Sequence, residues 1–189
     1  GCAVDGVEIR VVDDNRHEVP HGQEGEEASR GPQVFVGYWG EPEMTARALD
    51  ADGWYYSGDY CRTDSEGRYI RITGRKKDII VRGGENISSR EVEDIVLEYP
   101  GVREAAVVAM PDERLGERSC ACVSMRPGAP AMHLTDLVAF FDGRRVAKYK
   151  FPEYLVVLDA LPRTSSGKLQ KFALARMVRE RVAAGQPSD

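Results

Sequence analysis

Long hydrophobic runs, paired cysteines and clustered histidines are all missing from this chain of 189 residues. No apolar stretch approaches the roughly 20 residues of a membrane-spanning helix, and no charged, apolar and small-residue leader opens the sequence. Integral-membrane and secreted classes therefore drop out, and a cytoplasmic, reducing setting is expected. The four cysteines, Cys2, Cys61, Cys120 and Cys122, include no C-x-x-C pair; Cys120-Ala121-Cys122 sits in an apolar, strand-like run where a thiol packs as a small hydrophobe. The three histidines, His17, His21 and His133, are too few and too scattered for a zinc site or a Ser-His-Asp triad, so no metal ligand set is expected. At this length a core can form without disulfides or structural metals.

What the chain does have is charge, unevenly spread. Lys and Arg number 26 against 31 Asp and Glu, a formal net charge of −5. Residues 1–60 carry 4 basic and 13 acidic side chains (net −9), and residues 61–189 carry 22 and 18 (net +4). The basic part mixes its cations with acids and lacks RNA-binding aromatic motifs, so small phosphate ligands suit it better than nucleic acid. An ordinary solvated surface accounts for the same charge. The sequence opens on Gly1-Cys2-Ala3 without Met and runs straight into a strand pattern, and we expect it to be part of a longer protein.

Up to Thr73 the grammar is one of short strands and turns. Val7 to Val12 alternates, Val34-Phe35-Val36 has strand content, Pro42 to Leu49 is a short helix with Pro in its first turn, and Asp52-Gly53 and Glu66-Gly67 frame strands over 54–61 and 68–73. After Gly74 the pattern changes. Ser88-x-x-Glu91 reads as a capping box ahead of Val92, Ile95, Val96 and Tyr99 at helical spacing, stopped by Pro100-Gly101. Strands over 104–109 and 119–125, a helix over 134–141, a strand over 154–158 and a helix over 170–182 follow. The expected fold class is α+β: a β-rich, barrel-like part-domain over 1–74, an α/β domain with a small mixed sheet over 75–183, and a disordered tail over 184–189.

Four clusters could carry chemistry. Ser57-Gly58-Asp59 is equally ordinary turn chemistry, and Gly74-Arg75-Lys76-Lys77-Asp78 equally a charged linker. Gly83-Gly84-Glu85-Asn86 could be a simple strand-to-helix turn, although two glycines let a backbone approach a ligand. The run from Leu161 to Lys168 could be a flexible connector. Ser166-Gly167-Lys168-Leu169 is not the end of a P-loop, because Pro162 stands where its first glycine belongs and Leu169 where it needs Ser or Thr.

Taken together and in order, these clusters resemble the adenylate-forming superfamily of acyl-CoA synthetases, peptide-synthetase adenylation domains and beetle luciferases. The matching strings are Gly53-Trp54-Tyr55-Tyr56-Ser57-Gly58-Asp59, Gly74-Arg75-Lys76-Lys77-Asp78-Ile79-Ile80, Gly83-Gly84-Glu85-Asn86-Ile87 with Glu91-Val92-Glu93, and Pro162-Arg163-Thr164-Ser165-Ser166-Gly167-Lys168. The resemblance implies a two-step ligase of fatty acid metabolism, an AMP-forming acid:CoA ligase in which acid and ATP give acyl-adenylate and pyrophosphate, and a thiol then displaces AMP. It implies that Asp59 accepts from the ribose hydroxyls of ATP or AMP, a task suited to a pure acceptor. Arg75 would contact the same region, Lys77 would be the hinge of domain alternation, and Lys168 would bridge the carboxylate and α-phosphate in adenylation.

Gly83 and Gly84 would line the tunnel for the thiol arm. Glu85-Asn86-Ile87 resembles the acyl- and aryl-CoA branch, which makes coenzyme A the expected thiol and Mg2+ the expected companion of ATP. The family's basic pair for CoA phosphates falls near Lys148 and Lys150, where Phe151 and Glu153 interrupt it. The expected partners are ATP, CoA, a carboxylic acid and the protein's own N-terminal domain, which would hold the phosphate loop and acyl pocket absent here. An acyl-AMP ligase loading a carrier-protein phosphopantetheine, and a non-catalytic binding module, remain the alternatives.

Overall fold

The strands of this chain build two separate sheets, one within residues 8–75 and one within residues 79–157. A computed structural model describes residues 1–183, and the expected tail over 184–189 lies outside them. The chain forms two compact units, Gly1–Lys77 and Asp78 onward. The division thus falls three residues past the Gly74-Arg75 position read from the sequence. Arg75 belongs to the first unit because it closes a strand against Asp59.

The first unit is a four-stranded antiparallel meander, β1 (Glu8–Val12), β2 (Glu24–Arg30), β3 (Tyr55–Thr63) and β4 (Ile70–Arg75), in the order β1-β2-β3-β4. A short helix, α1 (Pro42–Ala48), starts on Pro42 as expected. The core here is small: Val12, Ala28, Trp54 and Tyr56. Arg10 and Arg30 extend it by stacking on the Trp54 ring at 4.0 and 4.6 Å. The strand expected at Val34-Phe35-Val36 does not form. Pro32 removes a ladder donor, and both edges of β2 are already taken by β1 and β3.

The second unit is a mixed five-stranded sheet. β5 (Ile79–Arg82) and β6 (Glu85–Ser88) form a hairpin, β7 (Val102–Asp112) and β8 (Gly116–Met125) form a long one, and β9 (Tyr154–Val157) lies parallel to β8. β8 pairs with β7 along one edge and with β5 and β9 on the other. Burial on both faces explains why β7 and β8 read as nearly unbroken apolar runs. Val107, Ala121, Val123 and Leu155 pack on one face against Val92 and Val96 of α2 (Ser89–Leu97) and Leu137 and Phe141 of α3 (Leu134–Asp142). Ala106, Val108, Cys120, Cys122 and Val156 pack on the other against Leu174 and Val178 of α4 (Lys171–Ala183). The two cysteines of Cys120-Ala121-Cys122 therefore are core residues, and Cys61 is buried in the first unit.

The outer edge of β7 is closed by a charge. Glu93 of α2, almost fully buried, accepts from the Val107 N–H (2.7 Å) and from Lys171 Nζ (2.7 Å). A carboxylate on an edge donor satisfies it and blocks pairing with another strand. No helix among the described residues is long and apolar enough to cross a membrane.

Candidate functional site

Asp59 owes its position to a break in the ladder between β2 and β3. Glu26 pairs with Tyr60 and Ala28 with Tyr56, so one residue of β2 faces three of β3, Ser57, Gly58 and Asp59. Such a bulge turns side chains away from the regular pleat. The displaced backbone is held by side chains instead: Ser57 Oγ donates to Glu27 O (3.0 Å), the Asp59 N–H donates to Ser57 Oγ (3.1 Å), and the Gly58 N–H donates to Glu26 Oε1 (3.0 Å). Gly58 has φ +74°, which favours glycine in the middle of the bulge.

On its other side Asp59 faces Arg75 in register, and Arg75 Nε lies 3.1 Å from Asp59 Oδ1. Asp59 keeps a third of its side chain exposed, so acceptor capacity remains toward solvent. Behind the bulge, Lys76 Nζ reaches Glu26 Oε2 (3.0 Å) and Asp14 Oδ1 (2.8 Å). Burial opposes the charge on Lys76, but these two carboxylates hold its ammonium above the usual lysine range. Cys61, two residues on, is inert as a nucleophile: burial pushes its thiol up to about 12. Lys77 is exposed in a short turn, Lys76–Asp78, and is the last residue of the first unit.

Gly83 and Gly84 are not a strand-to-helix turn. They are the two-residue tip of the β5–β6 hairpin, with Arg82 paired to Glu85 and φ of +58° and +91°, the sign pattern of a type I′ turn. The tip is tied down by the Gly83 N–H, which donates to Leu115 O at 2.8 Å. Its base is tied by Arg82, which makes a two-pronged contact to Glu153 (Nε to Oε2 and Nη2 to Oε1, both 2.9 Å). Glu153 is thus not merely an interruption of a basic pair. Of that pair, Lys150 is held by Glu91 (2.6 Å) and Lys148 is exposed. Glu85 is exposed beside the tip.

The Lys168 segment is a closed hairpin, not a loose connector. Arg163 bridges Leu169, the Thr164 N–H donates to Lys168 O (2.8 Å), and the Gly167 N–H donates to Thr164 O (2.9 Å). With Gly167 at φ +82°, this is a three-residue loop in which the last loop residue is left-handed. Thr164 Oγ1 accepts from the Lys168 N–H (3.1 Å), Arg163 Nη1 donates to Gly167 O (2.7 Å), and Arg163 Nη2 pairs with Glu104 of β7. The hairpin is therefore stapled to the sheet while the Lys168 side chain stays exposed.

Asp59 and Arg75 are thus brought together in the first unit. Gly83, Gly84 and Glu85 share one hairpin tip in the second, and Lys168 sits on another hairpin of that unit. Glu26 and Glu153 join the site as supports from outside the four clusters, and Lys76 and Arg163, which lie within two of them, act as supports as well. Among the described residues no three His, Cys, Asp or Glu side chains gather as a metal position.

Known proteins resemble this chain in both sequence and fold. Residues 91–168 match the AMP-binding enzyme C-terminal domain. The chain is 64% identical over 182 residues to the medium-chain fatty-acid–CoA ligase of Escherichia coli (strain K12), covering 96% of this chain and 32% of that protein. It is 44% identical over 172 residues to the salicylyl-CoA synthase / salicylate adenylyltransferase of a Streptomyces species, covering 91% and 31%. The ATP-bound structure of MatB from Rhodopseudomonas palustris matches with a TM-score of 0.88 at 36% identity, over 95% of this chain and 35% of that one. The chain spans about a third of the length of the relatives it matches.

Proposed function

Because this chain belongs to the AMP-binding enzymes and carries their C-terminal domain, we propose that it is the C-terminal third of an AMP-forming acid:CoA ligase acting on a medium-chain fatty acid. The observation that carries the reading is 64% identity, over nearly the whole chain, to a ligase of that description. The domain limits proposed are a part-domain up to Lys77, three residues beyond the 1–74 read from the sequence, and a mobile domain from Asp78, with the turn at Lys77 as pivot.

In the first half-reaction the fatty acid carboxylate attacks the α-phosphorus of ATP. A new oxygen–phosphorus bond forms as the bond to pyrophosphate breaks. Asp59, with Oδ1 held by Arg75, orients the nucleotide by accepting from its ribose hydroxyls. Two anions meet in this step, and the ammonium of Lys168 offsets their repulsion as charge develops. A rigid hairpin suits this role, since a positioned charge needs no reorganisation at the moment of reaction.

In the second half-reaction the CoA sulfur, losing its proton, attacks the acyl carbon and AMP leaves with the carbon–oxygen bond pair. The Gly83-Gly84 tip and Glu85 border the path of the thiol arm, with glycine allowing close passage. Lys148 and Lys150 are the cations nearest in sequence to the family's CoA-phosphate position. Mg2+ enters with the ATP phosphates, and no residue of this chain is assigned to it. A cytoplasmic enzyme goes with this reading.

The test uses the full-length protein. Octanoate-dependent ATP–pyrophosphate exchange, followed by octanoyl-CoA formation on adding free CoA, is the expected result. Turnover only with a phosphopantetheinyl carrier protein would replace this reading with a carrier-loading ligase. No exchange with any carboxylic acid would leave a binding module.

A further inference from the structure

We propose that Glu26 is a positioning residue for the nucleotide: its one carboxylate holds the Asp59 bulge and the Lys76 side of the hinge turn in a fixed relation. The inference rests on the assignment of Asp59 to the ribose and adds a residue outside the four clusters described above.

The bulge leaves three β3 residues facing one of β2, and the backbone of Gly58 has lost its ladder partner there. Glu26 supplies the replacement. Its Oε1 accepts from the Gly58 N–H and its Oε2 from Lys76 Nζ, both at 3.0 Å. The side chain is only 12% exposed, against 77% for Asp14, the other partner of Lys76. Of the two ion pairs the Glu26 arm is therefore the less screened and the more constraining.

Position gives this contact its meaning. Gly58 immediately precedes Asp59, so fixing the Gly58 N–H fixes the peptide from which Asp59 departs. Lys76 immediately follows Arg75, the cation on Asp59 Oδ1, and immediately precedes Lys77. One carboxylate thus sets both backbone segments whose side chains meet at Asp59. Removing it frees Gly58, already at φ +74°, to turn, and lets the end of β4 shift. Neither change removes a group that touches nucleotide, so the effect reaches the nucleotide only through Asp59 and Arg75.

In the full-length protein, Glu26→Ala loses both contacts, whereas Glu26→Gln keeps an acceptor for Gly58 and loses the charge facing Lys76. Two readouts are taken: hydrogen–deuterium exchange of the peptide spanning 54–60, and Michaelis constants for ATP and octanoate in ATP–pyrophosphate exchange. The expected result for Glu26→Ala is faster exchange of that peptide and an ATP KM raised about tenfold or more, with the octanoate KM within twofold of wild type. Glu26→Gln should recover the protection and part of the ATP KM, which also answers a folding failure of the alanine variant.

Asp59→Ala is the reference. A raised ATP KM in both Asp59 and Glu26 variants supports the proposal. A raised ATP KM in Asp59→Ala alone overturns the role of Glu26 and leaves the Asp59 assignment standing. No change in either overturns both. Unchanged exchange at 54–60 in Glu26→Ala overturns the clamp whatever the kinetics.

Discussion

Gly167→Ala isolates the backbone geometry behind Lys168, since a Cβ built at that glycine meets nothing within 4 Å. No clash contributes, and the whole cost comes from holding an L-residue at φ +82°, about 1–2 kcal/mol. The hairpin is exposed, and most of its hydrogen bonds close on themselves between Arg163 and Leu169. The cost should therefore appear as local opening and not as global unfolding. One to two kcal/mol is about a 5- to 30-fold change in an equilibrium.

Native-state hydrogen exchange reads this directly. The Thr164 and Gly167 amides, both donors inside the loop, should exchange about 5- to 30-fold faster in Gly167→Ala. The amides of Ala121 to Val123, in the central strand of the sheet, should hold their rates. Gly167→Asn should fall between, because asparagine tolerates the left-handed region better than alanine. Equal acceleration in the loop and in β8 would show that the hairpin does not open as a unit. Unchanged loop rates would show that the left-handed residue is not what closes it.

Three further expectations concern the groups around the motifs. Lys168→Ala should leave the urea midpoint unchanged, because the side chain is exposed. In the full-length enzyme it should cut ATP–pyrophosphate exchange by about 10²–10³ while sparing thioester formation from supplied acyl-adenylate; equal loss of both steps contradicts the assignment. Glu153→Ala strips the partner of Arg82 and a 3.4 Å neighbour of Arg118, all three a quarter or so exposed. It should cost about 1–2 kcal/mol in urea unfolding and slow thioester formation more than adenylation, and a loss under about 0.5 kcal/mol would show the Arg82 contact to be idle.

The third concerns acid. The Arg163 guanidinium beside Glu104, against the opposing effect of burial, holds its carboxyl below the ordinary 4.5. A carboxyl with a lowered folded-state pKa contributes stability fully above pH 4.5 and loses it as pH falls through the folded value. The difference in loop opening between wild type and Glu104→Gln, followed at Thr164 and Gly167, should be constant above pH 4.5 and shrink below it. A gap that persists at pH of about 2 would refute the staple.

Where the sequence spoke in periodicity or turn chemistry, it could be read. Helices α1 to α4 and strands β3, β4, β7, β8 and β9 lie close to the spans expected, because apolar spacing and capping are local signals. β2 is Glu-Gly-Glu-Glu-Ala-Ser-Arg, with one apolar residue facing the core, and only its two neighbours make it a strand. β5 and β6 are four residues each and escape a periodic reading. The two-residue Gly-Gly loop between them was nonetheless a hairpin signal. Val34-Phe35-Val36 failed the other way, having strand composition without a free edge to join.

The residues that hold the motifs are illegible for a different reason. Three acids from distant elements each secure one motif: Glu26 takes the Gly58 N–H, Glu153 takes Arg82 at the base of the Gly83-Gly84 tip, and Glu104 takes Arg163 at the base of the Lys168 hairpin. They lie 32, 71 and 59 residues from their partners, separations that no local pattern encodes. The common choice of a carboxylate follows from the roles proposed for these segments. A loop that meets nucleotide or thiol has to stay at the surface, so apolar burial cannot order it. A charge-assisted contact can hold it without covering it, and at half-exposed positions it is stronger than a neutral hydrogen bond. Three segments in two units, each tied by a long-range acid, fit that constraint: the two hairpin tips are exposed, and the Asp59 bulge keeps a third of the Asp59 side chain open. Replacing any of the three acids with alanine should therefore loosen its own segment and leave the other two unchanged, since separated sites without shared partners act additively.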